Sequence, residues 1–389
     1  MDLTVEQRDL RDAVRGLIEK AGPTELTGPT ERNGTGRPPW RRLCDEVGVA
    51  GLAIPERYGG AGAGLAEICV VMEELGRNLT PTPMLGSSVL AAQAVLASGD
   101  DAACERLLPP VAGGSVIAAL AWATSAGRWD PAEVACQARD ALDGWELDGE
   151  AHYVLDGDTA DLLLVAASTP DGTGLFEVDQ DAAGVNRTAV TTMDASRSLA
   201  LVRLTAARAR RVGGDATGPL AIARDQACIA LGAEQAGAAQ RALELTVRHL
   251  LTRVQFGQAI GGFQALQHRA ADLYVLVESA RSLSRAAAAA ADGAPPPRGD
   301  SPRASGDYPS PHPPLAAAAK VYCSEALTQV ASEMIQLHGA IAITWEHQAH
   351  RYLKRAHGGR YLFGTPASHL ATIAASLIDD IGGTPPEPT

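Results

Sequence analysis

The stretch Arg253-Val254-Gln255-Phe256-Gly257-Gln258-Ala259-Ile260-Gly261-Gly262-Phe263-Gln264 holds the residue types best suited to binding chemistry. Arginine offers five N–H donors in a planar fork that matches phosphate oxygens. The helix expected to open at Gln264 adds unpaired N–H groups and a dipole that favours anions. Two readings fit these residues on chemistry alone: a phosphate clamp, or a corner between two helices that carries a surface arginine. Glu346-His347 with His350 offers a general base, and the i, i+3 spacing of the histidines predicts a shared helix face. A metal there would want a third protein ligand, so no metal site is expected. The run Gly59-Gly60-Ala61-Gly62 follows no strand and does not satisfy G-x-G-x-x-G, so it does not read as a nucleotide loop.

Composition narrows what these residues can serve. With 389 residues the chain is long enough for two or three structural units. Aromatics make up only 4% and Ala is abundant, which favours close-packed helices. A formal charge of −13 argues against general nucleic-acid binding, which wants a basic face. Six scattered cysteines without a C-x-x-C pair read as reduced thiols. The charged start Met1-Asp2-Leu3-Thr4-Val5-Glu6 lacks the apolar core of a signal peptide, and no apolar run approaches the ~18–20 residues of a membrane span. A cytoplasmic protein is the expectation.

The elements that must position the candidates fall into three blocks. Residues 1–114 read as a helical domain: Leu3, Leu10, Val14, Leu17 and Ile18 form one stripe, and a helix from Leu65 to Gly76 is expected to turn Glu73 and Glu74 outward. Residues 115–215 read as a β-domain. Trp145–Gly149 and Tyr153–Gly157 alternate and end in Asp-Gly turns, which predicts a hairpin, while Leu162–Ala167 is an apolar strand. Residues 216–389 return to helical period, with Phe263, Leu266, Ala270, Leu273, Val277 and Ala280 forming an inward face. A Pro-rich loop at 293–314 interrupts this bundle and can form no core.

Five landmarks in order resemble the acyl-CoA dehydrogenase family over nearly the whole chain. They are Ile54-Pro55-Glu56-Arg57-Tyr58-Gly59-Gly60-Ala61-Gly62, Glu73-Glu74-Leu75-Gly76-Arg77, Asp194-x-x-Arg197, Arg253-x-x-Phe256-Gly257 with Phe263-Gln264, and Gln336-Leu337-His338-Gly339. The resemblance implies an α+β multidomain fold: an N-terminal helical domain, a middle β-barrel-like domain and a C-terminal four-helix bundle. It implies FAD as cofactor, α,β-dehydrogenation of an acyl-CoA thioester, and electron-transfer flavoprotein as acceptor. It also implies that Arg253, Phe256, Gly257, Gln264, Gln336, Gly339 and Thr365 contact the ADP half of an FAD held by a neighbouring subunit.

The same resemblance exposes two departures. The family's catalytic Glu comes from one of two positions, which fall here on Phe363 and Ala227, and neither side chain can accept a proton. The flavin-binding turn of the first strand is replaced by Leu120-Ala121-Trp122-Ala123-Thr124-Ser125-Ala126-Gly127-Arg128-Trp129, where Thr124 and Ser125 are weak substitutes. The later Trp-x-Thr appears as His152-Tyr153-Val154-Leu155, and Ala340 and Ala342 stand where glycines usually follow Gln336. Substitute bases are Glu234, a helix-face residue seven positions after Ala227, and Glu346. The chain looks like the degenerate partner subunit of actinobacterial α2β2 acyl-CoA dehydrogenases, whose paralogous subunit supplies the Glu. The alternatives are a self-sufficient homotetrameric dehydrogenase or oxidase with an atypical base, and a non-catalytic scaffold homologue.

Overall fold

The computed structural model describes residues 2–21, 37–142, 144–179, 182–293 and 313–382. Most of the Pro-rich loop and the end of the Pro-rich tail lie outside them. The N-terminal block contains α1 (Val5–Ala21), α2 (Arg37–Val47), α3 (Leu65–Arg77), a π-type turn at Met84–Ala91 running into α4 (Ala92–Ala97), and α5 (Asp101–Ala112). Strands β1 (Ala118–Ala121), β2 (Cys136–Ala141), β3 (Gly144–Leu155), β4 (Leu162–Thr169), β5 (Gly172–Val178), β6 (Val185–Ala189) and β7 (Leu199–Val212) follow. Then come α6 (Thr217–Thr252), the two-residue strands β8 (Val254–Gln255) and β9 (Gln258–Ala259), α7 (Gln264–Asp292), α8 (Pro313–His338), α9 (Ala349–Tyr361) and α10 (Pro366–Gly382).

The sheet runs β1-β4-β2-β3-β7-β5, and β5 also pairs with β4. That last pairing closes a ring through β4, β2, β3, β7 and β5, with β1 and β6 each attached by one side only, to β4 and β7. Alternate side chains such as Leu147, Val154, Leu163, Val165, Phe176 and Val202 fill its interior. The hairpin expected at Trp145–Gly157 is not formed. Asp148-Gly149 lies inside one continuous strand, where the register against β7 shifts between Leu147 and Gly149. Gly149 is in the left-handed region at φ 138°, and a Cβ there would meet Cys136 Cα at 2.8 Å, so the Asp-Gly pair marks a bulge.

In the bundle, α6, α7 and α8 pack on one another, with α9 and α10 against α8. Leu273, Val277 and Ala280 of the expected α7 face are buried, while Leu266 and Ala270 are half-buried and Phe263 only precedes the helix. The N-terminal block meets the bundle backbone to backbone. A Cβ on Gly76 would lie 2.0 Å from the Glu234 carbonyl oxygen, and one on Gly237 would lie 1.9 Å from that of Glu73. Helices this close leave no room for outward glutamates. Glu74 is 1% exposed and accepts two hydrogen bonds from Arg15 at 2.9 and 2.6 Å, and Glu73 sits between Arg281 and Arg285 of α7, each at 3.1 Å. All six cysteines are unpaired. Among the described residues no helix is long and apolar enough to cross a membrane.

Candidate functional site

The candidate residues divide between the two ends of α6. At its C-terminal end the helix stops at Arg253, whose N–H still donates to the His249 carbonyl at 2.9 Å. The chain then makes a two-residue hairpin, pairing Val254 with Ala259 and Gln255 with Gln258. Phe256 and Gly257 form its tip, both in the left-handed region at φ 52° and 80°. Glycine is at ease there; phenylalanine is held against a penalty of about 1–2 kcal/mol. Phe256 is nonetheless 91% exposed, with its ring edge-on to that of Phe263 at 6.1 Å between centroids. Arg253, Gly257 and Gln264 are exposed on the same projection.

Gln336 is exposed in the last turn of α8, and Gly339 takes the left-handed conformation just past it (φ 69°). Rings of His249 and His338 stack at 4.4 Å, which puts the ends of α6 and α8 side by side. The fold therefore gathers Arg253, Phe256, Gly257 and Gln264 with Gln336 and Gly339 at one end of the bundle. Thr365 is not among them. It caps the start of α10, accepting the Ser368 N–H at 3.2 Å, two residues beyond Phe363.

Phe363 and Ala227 belong to the other end. From Ala227 to Arg253 is 26 residues of α6, about 39 Å at 1.5 Å per residue. Ala227 is fully buried. Phe363, 1% exposed at φ 60°, packs edge-on against Trp129 at 5.0 Å, and Trp129 against Trp122 at 5.8 Å. Trp122 is anchored by its N–H to the Asp130 carbonyl at 3.2 Å. The three rings, Leu155 and Ala227 share one core cluster. In place of a carboxylate facing an open pocket there is an aromatic chain. Thr124 Oγ1 accepts the Arg128 N–H of its own turn at 3.3 Å, and the Ser125 carbonyl accepts the Tyr153 hydroxyl at 3.2 Å.

Sequence reasoning assigned no role to four residues at this end. Trp122 and Trp129 were legible as bulk in the turn after β1, but nothing local said they would reach Phe363. His369 Nε2 donates to the Phe363 carbonyl at 3.0 Å, and burial pushes its pKa down to about 4, leaving a neutral ring. Asp225, the buried carboxylate two residues before Ala227, pairs with Arg224 at 3.1 Å.

The two substitute bases sit in different surroundings. Glu234 is 5% exposed and held by Arg197 Nη2 at 2.7 and 2.8 Å and by Arg355 at 3.0 Å. Burial by itself would raise its pKa, but the two guanidinium charges and their hydrogen bonds bring it below the ordinary Glu value. A carboxylate so stabilised in its charged form is a poor base. Arg355 also lies 3.1 Å from Asp194 Oδ2 and donates to Ser196 Oγ at 2.9 Å. The Asp194-x-x-Arg197 landmark thus ties the β-domain to α6 and α9, directly beneath the Gly76 contact from α3. Asp156 faces the same arginines as a surplus negative charge, and burial pushes its pKa up to about 7 against their pull.

Glu346 is exposed in the turn before α9. His347 and His350 do not share a helix face, because His347 precedes the helix. It stacks on His338 at 4.5 Å, while His350 meets Trp345 edge-on at 4.7 Å. Among the described residues no group of three His, Cys, Asp or Glu side chains is placed to hold a metal.

Comparison with known proteins agrees with this architecture at every level. Residues 4–115 match the family "Acyl-CoA dehydrogenase, N-terminal domain" and residues 223–378 "Acyl-CoA dehydrogenase, C-terminal domain". Acyl-CoA dehydrogenase IpdE2 of Mycolicibacterium smegmatis is 37% identical over 96% of this chain and 100% of its own length. A variant of the Tcur3481–Tcur3483 steroid ACAD superposes with a TM-score of 0.83 at 31% identity, over 97% of this chain and 99% of that one. The ChsE4–ChsE5 complex of Mycobacterium tuberculosis gives a TM-score of 0.83 at 29% identity, over 99% and 100%. A helical domain, a closed β-domain and a helical bundle in that order, matched across both family segments and in full-length relatives, make this chain a member of the acyl-CoA dehydrogenase family of FAD-dependent oxidoreductases.

Proposed function

We propose that this chain is one subunit of a hetero-oligomeric acyl-CoA dehydrogenase, in which a paralogous chain holds the flavin ring and the substrate and supplies the carboxylate base. The observation that carries this is the Phe363–Trp129–Trp122 chain, which fills the place of the base with apolar rings, while the ADP-side residues stand exposed about 39 Å away along α6. Bound FAD accepts the hydride lost from the β-carbon of the acyl thioester. On this reading Arg253 neutralises diphosphate charge, Phe256 covers an apolar surface of the neighbouring subunit, and Gln264 and Gln336 supply amide hydrogen bonds. Gly339 leaves its backbone open to close approach, since nothing lies within 4 Å of where its Cβ would be.

The residues present fit the ADP half of the cofactor and do not fit its ring half. Thr365 belongs to the filled end and is left out of the ADP contacts. The arrest of Glu234 between two arginines weighs against a self-sufficient enzyme that uses it as base. The relatives support assembly and a bulky acyl group: ChsE4–ChsE5 is named a complex and Tcur3481–Tcur3483 a steroid ACAD. Electron-transfer flavoprotein is the acceptor by family analogy, and six unpaired thiols suit the cytoplasm. The test is expression of this chain alone and together with a paralogous acyl-CoA dehydrogenase chain from the same genome. The expected result is a colourless protein alone and a yellow complex bleached by acyl-CoA. A yellow, acyl-CoA-bleachable protein from this chain alone overturns the proposal.

A further inference from the structure

His249, His338 and His347 form one stack of imidazoles, with centroids 4.4 Å apart at 27° for the first pair and 4.5 Å at 42° for the second. Each ring comes from a different segment: the last turn of α6, the last residue of α8, and the turn before α9. These are the ends that carry Arg253 and, one turn apart, Gln336 and Gly339. The hydrogen bonds fix where the rings hold their protons. His338 Nδ1 donates to the Met334 carbonyl at 2.8 Å, so its Nε2 is bare when the ring is neutral. The Ala349 N–H donates to His347 Nδ1 at 3.2 Å, so that ring carries its proton on Nε2.

Arg253 bears on His249 from the end of α6, while Arg351 and Lys354 of α9 act on His350, whose ring burial holds neutral with a pKa of about 4 and which adjoins His347. Glu346, adjacent in sequence, is exposed, and the main influences on the three rings include no carboxylate. Burial lowers all three pKa values below the ordinary 6.5, and neighbouring rings lower His249 and His347 further. Opposing this, the negative ends of two helix dipoles, α6 and α8, converge on the stack. A bound anion is the one ingredient that would tip this balance toward a charged ring.

We infer that a diphosphate docking against Arg253 draws a proton from solvent onto this stack, so that the hold on the anion and the charge of the stack rise together. The inference rests on the reading of Arg253, Gln336 and Gly339 as ADP contacts. The linkage is reciprocal: whatever factor the anion adds to proton affinity, the proton adds to anion affinity. The proton goes to His249 or to Nε2 of His338, because adding it at His347 Nδ1 would break the bond from Ala349. Between the free and the bound titration midpoints, affinity falls up to about tenfold for each unit of rising pH.

The test is NMR titration of the histidine C2–H signals in the full chain, with and without inorganic pyrophosphate. The expected result is that pyrophosphate raises the midpoints of these rings by about one pH unit, a tenfold linkage. The shift disappears in Arg253→Ala, and in His338→Phe the remaining rings take up less proton. Should His338→Phe not fold, His249→Phe serves the same purpose. Pyrophosphate that perturbs the Gly257 amide yet leaves the three midpoints unmoved overturns the inference while sparing the ADP-contact reading. If neither pyrophosphate nor ADP perturbs this end of the bundle, even in the complex with the paralogous chain, both fall together.

Discussion

Phe363→Glu restores the residue type that the family uses at this position, and the structure says that it will damage the protein without creating an active site. Phe363 is 1% exposed against Trp129, and truncating a buried Phe costs about 3–5 kcal/mol, of which the methylenes of Glu return a part. The new carboxyl would lie among Trp129, Trp122 and Ala227. Two cations at this end of α6 are already engaged, Arg224 with Asp225 at 3.1 Å and Lys320 with the Gly359 and Arg360 carbonyls at 2.9 and 3.0 Å. An unpaired buried carboxyl raised by two to three pH units adds roughly 3–4 kcal/mol at pH 7. The sum is comparable with the whole stability of an ordinary domain, ~5–15 kcal/mol. Because the raised carboxyl is favoured in its protonated form, the deficit should shrink as pH is lowered from 7.5 to 5.5. Urea unfolding followed by tryptophan fluorescence at both pH values measures this, with Phe363→Leu as a control costing about 1.5 kcal/mol or less. A Phe363→Glu protein within ~1 kcal/mol of the parent, carrying its own flavin and bleached by acyl-CoA, would refute the reasoning.

Glu234→Gln removes the charge that Arg197 and Arg355 share and should destabilise by about 3–5 kcal/mol, seen as a lower melting temperature. Lost turnover with an unchanged melting curve would instead make Glu234 a base. Gly237→Ala drives a methyl to 1.9 Å from the Glu73 carbonyl and should cost several kcal/mol, whereas Gly232→Ala, whose nearest neighbour is 3.5 Å away, should be tolerated; equal melting temperatures would contradict the backbone contact. Asp156 has a folded pKa raised to about 7, so the stability its protonated form contributes is present below about pH 4 and lost as pH rises to 7. Asp156→Asn should therefore gain stability at pH 7.5, by at most about 4 kcal/mol, and lose that pH dependence, as denaturation between pH 4 and 8 would reveal.

What the sequence disclosed and what it concealed follow from the range of the interactions involved. The period of Leu273, Val277 and Ala280 is a local consequence of helix geometry, so the inward face of α7 was legible. The corner between α6 and α7 with its exposed arginine was equally local, whereas the small hairpin that forms it was not foreseen. Asp148-Gly149 misled because the same dipeptide serves a turn or a bulge, and only the partner strand decides which. Glu74 looked solvated because its partner, Arg15, is 59 residues away. Glu234 was offered as a base for the same reason, since Arg197 lies 37 residues before it in the β-domain and Arg355 lies 121 residues after it on α9. The emptiness of Phe363 and Ala227 was visible from family pattern alone. That Trp122 and Trp129 close over the vacancy required the third dimension.

The straight run of α6 between Ala227 and Arg253 also acts as a ruler. One end is locked in the aromatic cluster and the other presents Arg253 to a neighbour, so the helix sets both the distance and the azimuth between them. A single inserted residue would advance Arg253 by 1.5 Å and swing it about 100° around the axis, turning the guanidinium away from any fixed partner while leaving the aromatic cluster intact. Point substitutions along the exposed side of this segment should therefore be far better tolerated in evolution than any change in its length. Length variation among relatives should collect elsewhere, as in the Pro-rich stretch at 293–314.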